Sequence, residues 1–291
     1  IEDIMRFLDN VMEDFISRAP DTMESARYSA MRERSVGLGV MGFHSYLQKK
    51  RVPFESVMAK VWNKRIFSKI KEEADKASIV LATEKGACPD AKEYGVNERF
   101  SNKIAIAPTA SISIICGGAS PGIEPIAANS FTQKTLSGSF NVRNPHLKGL
   151  LAEKGKDNEE TWSSITINKG SVQHLEFLDD SEKAVFKTAF ELDQRRVVDL
   201  AGDRTPFVCQ AQSLNIFLKP DVNKRDLHMI HFSAWKRGVK SLYYLRSLSI
   251  QRAEVVSHNK KTTEVLIKGK INEGEQPYGN QLDYDECLSC Q

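Results

Sequence analysis

IAIAPTASISIICGGASPGIEP, from Ile104 to Pro125, opens on alternating Ile and Ala, meets Pro108, and then carries Thr109, Ser111 and Ser113 ahead of Gly117, Gly118 and Gly122. The pattern predicts a buried strand that ends in a hydroxyl-rich loop. A loop at the carboxyl end of a strand can aim backbone N–H groups and Ser/Thr hydroxyls at an anion, as phosphate sites do in α/β proteins. The same residues also suit a Ser/Thr turn that caps the following segment, and local composition does not separate the two.

Upstream of this stretch, Ile1, Ile4, Met5, Leu8, Val11, Met12, Phe15 and Ile16 fall at helical spacing among acidic residues, which predicts an amphipathic helix over 1–18. It starts uncapped and without methionine, as if cut from something longer. Gly37, Gly39 and Gly42 then spell GxGxxG in GLGVMG. The charged run SARYSAMRERS before it is no buried strand, and no acidic strand end follows, so close helix packing is the better use of these glycines than a dinucleotide turn. Val57 to Leu81 marks a long helix within 55–85 that stops at Gly86.

Downstream, several short elements fill 129–180, with a strand expected at Ile165 to Ile167 and a helix over Ser181 to Ala201 capped by Ser181. PFVCQAQSLNIFL reads as a strand, Asp221 to Arg237 as a helix closed by Gly238, and VKSLYYL as another strand. Helices alternating with short apolar strands predict an α/β fold with a mostly parallel sheet or barrel. From Ser257 the chain turns polar and loses apolar periodicity, so residues 257–291 read as a flexible tail behind a folded part at 1–256.

Composition limits what such a chain does. It has 291 residues, 41% of them hydrophobic, enough for a substantial core. Lys and Arg number 41 against 38 Asp and Glu, so no basic footprint for nucleic acid stands out. No apolar run approaches the roughly 20 residues of a membrane span. Five scattered cysteines make no disulfide framework, and a reducing cytoplasm is the expected compartment.

Tyr243 and Tyr244 adjoin at the end of a predicted strand. Side chains alternate between faces there, so the two rings act together only where the strand is bulged or ending. Cys287 and Cys290 form CLSC ahead of the last residue. No second CxxC or CxxH exists to complete a zinc site, whereas a dithiol of this spacing passes two electrons by thiol exchange. Cys287 lies 30 positions beyond Ser257, a flexible reach of ~30 Å. Cys88, Cys116 and Cys209 suit core or loop positions, and His228 with His231 suits a packed helix face. Glu124 follows the hydroxyl loop and is suited to ordering it; nothing local supports a general acid.

The blocks RSVGLGVMGF, IAPTASIS with GIEP, LSGSFNVRNPHL, PFVCQAQSLNI and AWKRGVKSLYYLRS, closed by CLSC, resemble in order and register the large catalytic subunit of class I ribonucleotide reductases. The resemblance implies part of a ten-stranded α/β barrel that reduces ribonucleoside diphosphates to deoxyribonucleoside diphosphates through a protein radical. Thr109, Ala110, Ser111 and Ile112 match the segment that holds the substrate diphosphate. Tyr243 and Tyr244 match the stacked tyrosines of the radical path, and Cys287 and Cys290 the tail dithiol reduced by thioredoxin or glutaredoxin. The effector-binding region, the thiyl-radical cysteine and the two active-site cysteines have no counterpart here. The chain is thus similar to the carboxyl-terminal half of that subunit. The implied partners are an amino-terminal half and a small subunit carrying a diiron-tyrosyl radical, with no cofactor or metal bound by this chain itself. The other function considered is a non-catalytic assembly or nucleotide-binding module that keeps the fold. The hydroxyl loop, the phenols and the dithiol are expected to converge on one pocket.

Overall fold

The computed structural model describes residues 1–135 and 138–247, with the backbone alone over 133–135 and 138–140. α1 (Glu2–Arg18) and α2 (Glu24–Glu33) lead into an extended stretch through Leu38. α3 (Phe43–Lys49), α4 (Val57–Lys85) and α5 (Pro89–Glu93) carry the chain to Ile104, and α6 (Ala110–Ile115) follows. A hairpin of β1 (Ser130–Thr135) and β2 (Gly138–Arg143) comes next, then α7 (Pro145–Glu153), α8 (Glu159–Ile167), α9 (Asp180–Val185) and α10 (Gln194–Arg204). β3 (Ile216–Leu218), α11 (Lys224–Lys236) and β4 (Leu245–Ser247) complete the described order.

Four extended stretches lie side by side in chain order, all parallel. Leu38 bridges Ile104, Ile106 bridges Gln212, and β3 pairs with β4 in the register Ile216 to Leu245. Each return between neighbours is long enough to hold helices, as parallel pairing requires. The architecture is mixed α/β, and among the described residues the stretches do not close into a barrel.

The glycines of GLGVMG serve this frame. A Cβ on Gly39 would sit 2.5 Å from the Ala105 carbonyl oxygen, and one on Gly37 would sit 3.1 Å from Ala105 Cβ. They let one extended backbone approach another rather than a helix, which corrects the helix-packing expectation. Gly42, with φ +79, turns the chain into α3, and its N–H donates to the Ser120 carbonyl at 2.7 Å.

The main core gathers α1, α3, α4 and α10 against the frame, with Phe43, Phe67, Leu81, Ile104, Ile106, Leu214 and Ile216 buried. Inside it the Arg204 guanidinium lies 5.3 Å from both the Phe43 and Phe67 ring centres and donates to Asn63 at 2.8 Å. Burial lowers its pKa from the usual arginine range to about 9. A second apolar cluster packs Leu147, Leu151, Trp162, Ile165 and Phe186. No described helix is long and apolar enough to cross a membrane.

Several expected elements take other forms. Ile165 to Ile167 ends helix α8 and is not a strand: Asn158 caps it through the Thr161 N–H at 2.9 Å, and Trp162 with Ile165 buries one face. Burial on a helical face outweighs the strand preference of the β-branched run. The single helix over Ser181 to Ala201 is two, and Ser181 caps neither. Asp179 closes a capping box with Glu182, and Asp193 caps α10. PFVCQAQSLNIFL and VKSLYYL are regular strand only at Ile216–Leu218 and Leu245–Ser247. The long helix begins at Val57 behind its cap Ser56, and the Asp221 helix begins at Lys224 behind Asn223.

Candidate active site

The hydroxyl segment is a short helix entered through a strained residue, not an open loop. Thr109 takes φ 56, uncommon for a branched side chain. Its Oγ1 accepts the Gly122 N–H at 2.7 Å, which ties the helix start to the chain's return. Gly122 itself has φ +46, and a Cβ there would lie 3.0 Å from the Ala107 carbonyl oxygen. Ser113 is buried and donates to the Ala110 carbonyl at 2.9 Å, so its hydroxyl is engaged within the helix. Ser111 and Ile112 face outward, and Ala110 is buried. The first-turn N–H groups of Ala110, Ser111 and Ile112 have no intrahelical acceptor to reach. Ser120 and Ser45 exchange N–H to hydroxyl bonds of 2.8 and 3.1 Å, stapling the glycine-rich return onto α3.

The tyrosines meet. Their ring centres are 4.2 Å apart at 57°, and each ring is part-exposed. The pair stands immediately before β4, where the ladder is irregular: Tyr243 N–H donates to the Leu214 carbonyl at 3.0 Å, but Tyr244 N–H donates to the side-chain Oδ1 of Asn215 at 3.1 Å. Replacing a ladder acceptor by a side chain relaxes the alternation that would send neighbouring rings to opposite faces. The Arg246 guanidinium lies 5.8 Å from the Tyr244 ring centre, within cation–π range.

Loop and tyrosines are wired together by two residues. Asn215 Nδ2 donates to Glu124 Oε2 at 3.0 Å, and Glu124 follows Gly122 by two positions. Both residues are buried, Glu124 at 4% exposure and Asn215 at 3%. Burial pushes the Glu124 carboxyl up to about 7, against the Asn215 hydrogen bond and the Arg246 charge, which pull it down. Two open clefts of about 490 Å³ lie elsewhere, one beside Glu33 and Lys103 and the other beside Gln194 and Phe217.

The sequence points to the loop, to the phenols and to Glu124 as a residue that orders the loop, but not to Asn215 or to the link with the tyrosines. Its signals were a carboxylate between Ile123 and Pro125 and an amide inside the apolar run SLNIF. Cys287 and Cys290 lie outside the described residues. Cys88 is buried at the start of α5, whereas Cys116 and Cys209 are exposed and unbonded to other cysteines. His228 and His231 lie on the exposed side of α11 rather than on a packed face, where His228 stacks on Phe232 with ring centres 6.0 Å apart and His231 Nδ1 lies 2.8 Å from the Leu227 carbonyl.

Fold and site together define an α/β protein whose polar groups collect where parallel stretches adjoin. The family described as ribonucleotide reductase, barrel domain, matches residues 1–98 and 89–245. Over 263 residues the chain is 47% identical to the ribonucleoside-diphosphate reductase large subunit of Invertebrate iridescent virus 6, covering 89% of this chain and 27% of that protein. It is 43% identical to the putative large subunit of Frog virus 3, covering 91% of this chain and 47% of that protein. The class Id ribonucleotide reductase alpha subunit of Actinobacillus ureae superposes with a TM-score of 0.79 at 41% identity, covering 88% of this chain and 47% of that one. The chain belongs to the ribonucleotide reductase large-subunit barrel family. It spans less than half the length of these relatives.

Proposed function

We propose that the chain forms part of a ribonucleoside-diphosphate reductase, in which the four parallel stretches are a sector of the catalytic barrel. The reading is carried by one observation: a hydroxyl segment and a contacting tyrosine pair, distant in sequence, are joined through Asn215 and Glu124. Thr109, Ala110, Ser111 and Ile112 receive the substrate diphosphate with first-turn N–H groups and the exposed Ser111 hydroxyl. Tyr243 and Tyr244 pass an electron and a proton between a radical made in the small subunit and the substrate site. Reduction replaces a ribose hydroxyl by hydrogen and releases water. Two thiols supply the electrons and close to a disulfide. Cys287 and Cys290 regenerate those thiols and are themselves reduced by thioredoxin or glutaredoxin, in the cytoplasm. The remainder of a large subunit supplies the radical-bearing cysteine.

The test uses the chain assembled with the remainder of a large subunit, a small subunit and a ribonucleoside diphosphate. Tyr243→Phe and Tyr244→Phe each abolish deoxynucleotide formation while circular dichroism and substrate affinity stay unchanged. Undiminished turnover in both variants overturns the proposal. Loss of folding or of substrate binding returns the pair to core packing.

A further inference from the structure

Glu124 is a buried carboxyl with one oxygen engaged and the other not. Oε2 accepts from Asn215, whereas Oε1 has no hydrogen-bond partner among the described residues. The orientation of the intervening amide is forced. Tyr244 N–H can only donate, so Asn215 must turn Oδ1 toward it, which leaves Nδ2 for Glu124. Flipping the amide would set donor against donor at the Tyr244 N–H whatever the charge of Glu124. Whatever moves the Glu124 carboxyl therefore moves the acceptor that holds the Tyr244 backbone.

We propose that Glu124 is a positioning residue for the tyrosine pair: acting through Asn215 on the Tyr244 N–H, and through its charge on Arg246 beside the Tyr244 ring, it sets how the two phenols stand. The catalytic meaning of this rests on the function proposed above; the wiring itself does not. An ionised Glu124 pulls harder on Asn215 Nδ2 and attracts the Arg246 guanidinium, and a neutral one relaxes both. Because burial places the carboxyl near 7, both forms exist close to neutral pH. The groups around it leave this assignable. Among the described residues Arg246, on β4, is the charged group that acts on it, and the stretch carrying Asn215 offers only the amide. His44 of α3, bonded through Nδ1 to the Ile126 N–H at 3.0 Å, is held neutral by burial down to about 3 and so adds no charge to this segment near neutral pH.

The direct reporter is the Tyr244 backbone amide. The full chain, labelled with ¹⁵N-tyrosine, gives one amide signal for each of its 7 tyrosines, and Tyr244→Phe identifies the one that matters. Titrated across neutral pH without substrate, the Tyr244 signal shifts with a midpoint near 7, the value of the Glu124 carboxyl. Glu124→Gln, which keeps an acceptor for Asn215 and cannot ionise, abolishes the step. Asn215→Ala abolishes it with Glu124 still present. A Tyr244 amide that does not respond in the wild-type chain, or that responds with the same midpoint in Glu124→Gln, overturns the proposal. The readout needs neither turnover nor partner, so it fails or holds separately from the reductase reading.

Discussion

Among the described residues two carboxyls are buried, and they are treated in opposite ways. Asp9, fully buried on α1, accepts from Arg34 at 2.7 and 3.1 Å, from Arg99 at 2.8 Å and from Lys85 at 2.9 Å. Burial works to raise its pKa, and the bonds from Arg99, Lys85 and Arg34 overcome that and hold it at about 2. Glu124 receives one amide bond and a more distant guanidinium charge, and burial wins, at about 7. The first arrangement pins α1 to the end of α4 and the loop bearing Arg99. The second leaves a carboxyl poised between charge states beside the tyrosines. A buried acid surrounded by cations is a rivet; one left nearly alone is costly to the fold and is informative about function.

Breaking the rivet has the largest effect. Asp9→Ala strands Arg34 and Arg99 in the interior, and urea unfolding will show a loss of about 3–5 kcal/mol. The wild-type rivet also has a pH signature. Its folded pKa lies below the unfolded value near 3.9, so the contribution is complete above that value and is lost as pH falls through about 2, a loss of about 2 kcal/mol that Asp9→Asn lacks.

Glu124 behaves with the opposite sign. Its folded pKa is raised, so the neutral acid costs nothing below the unfolded value near 4.3, and the cost grows until pH passes about 7. Glu124→Gln will thus stabilise the chain by about 4 kcal/mol in mildly alkaline buffer and by nothing at acid pH, read by urea midpoints at both. Equal effects at the two pH values would dissolve the contrast with Asp9. The smallest change sharpens it: Arg246→Gln removes a charge that lowers the Glu124 pKa, and the midpoint followed at the Tyr244 amide will rise above 7.

What could be read ahead of the structure follows the range of the forces involved. Helices α1, α4 and α11 announced themselves by apolar spacing and by Gly86 and Gly238 at their ends, because both signals are local. Ile165 to Ile167 misled because its β-branched run favours a strand, while the deciding partners, in the cluster around Leu147 and Phe186, lie elsewhere in the chain. The hydroxyl segment and the tyrosine pair were legible as chemistry, but not as geometry. That Tyr243 and Tyr244 face one another depends on an acceptor 29 positions from Tyr244, and that Asn215 faces Glu124 depends on a contact spanning 91. The rivet at Asp9 likewise joins residues 90 apart, and no local pattern marks it. The GxGxxG glycines suggested close packing of a helix, whereas at Gly37 and Gly39 the neighbour is the extended backbone at Ala105, which lies far along the chain.

In the function proposed above, Tyr243 and Tyr244 carry a radical beside the diphosphate segment. This is tested most directly by placing 3-aminotyrosine, which oxidises more readily than tyrosine, at position 243 or 244. The chain is then assembled with the remainder of a large subunit, a radical-bearing small subunit and substrate. Electron paramagnetic resonance will then show an aminotyrosyl radical growing as the small-subunit radical decays, at either position. A small-subunit radical that persists unchanged, with no aminotyrosyl signal at either position, contradicts the account.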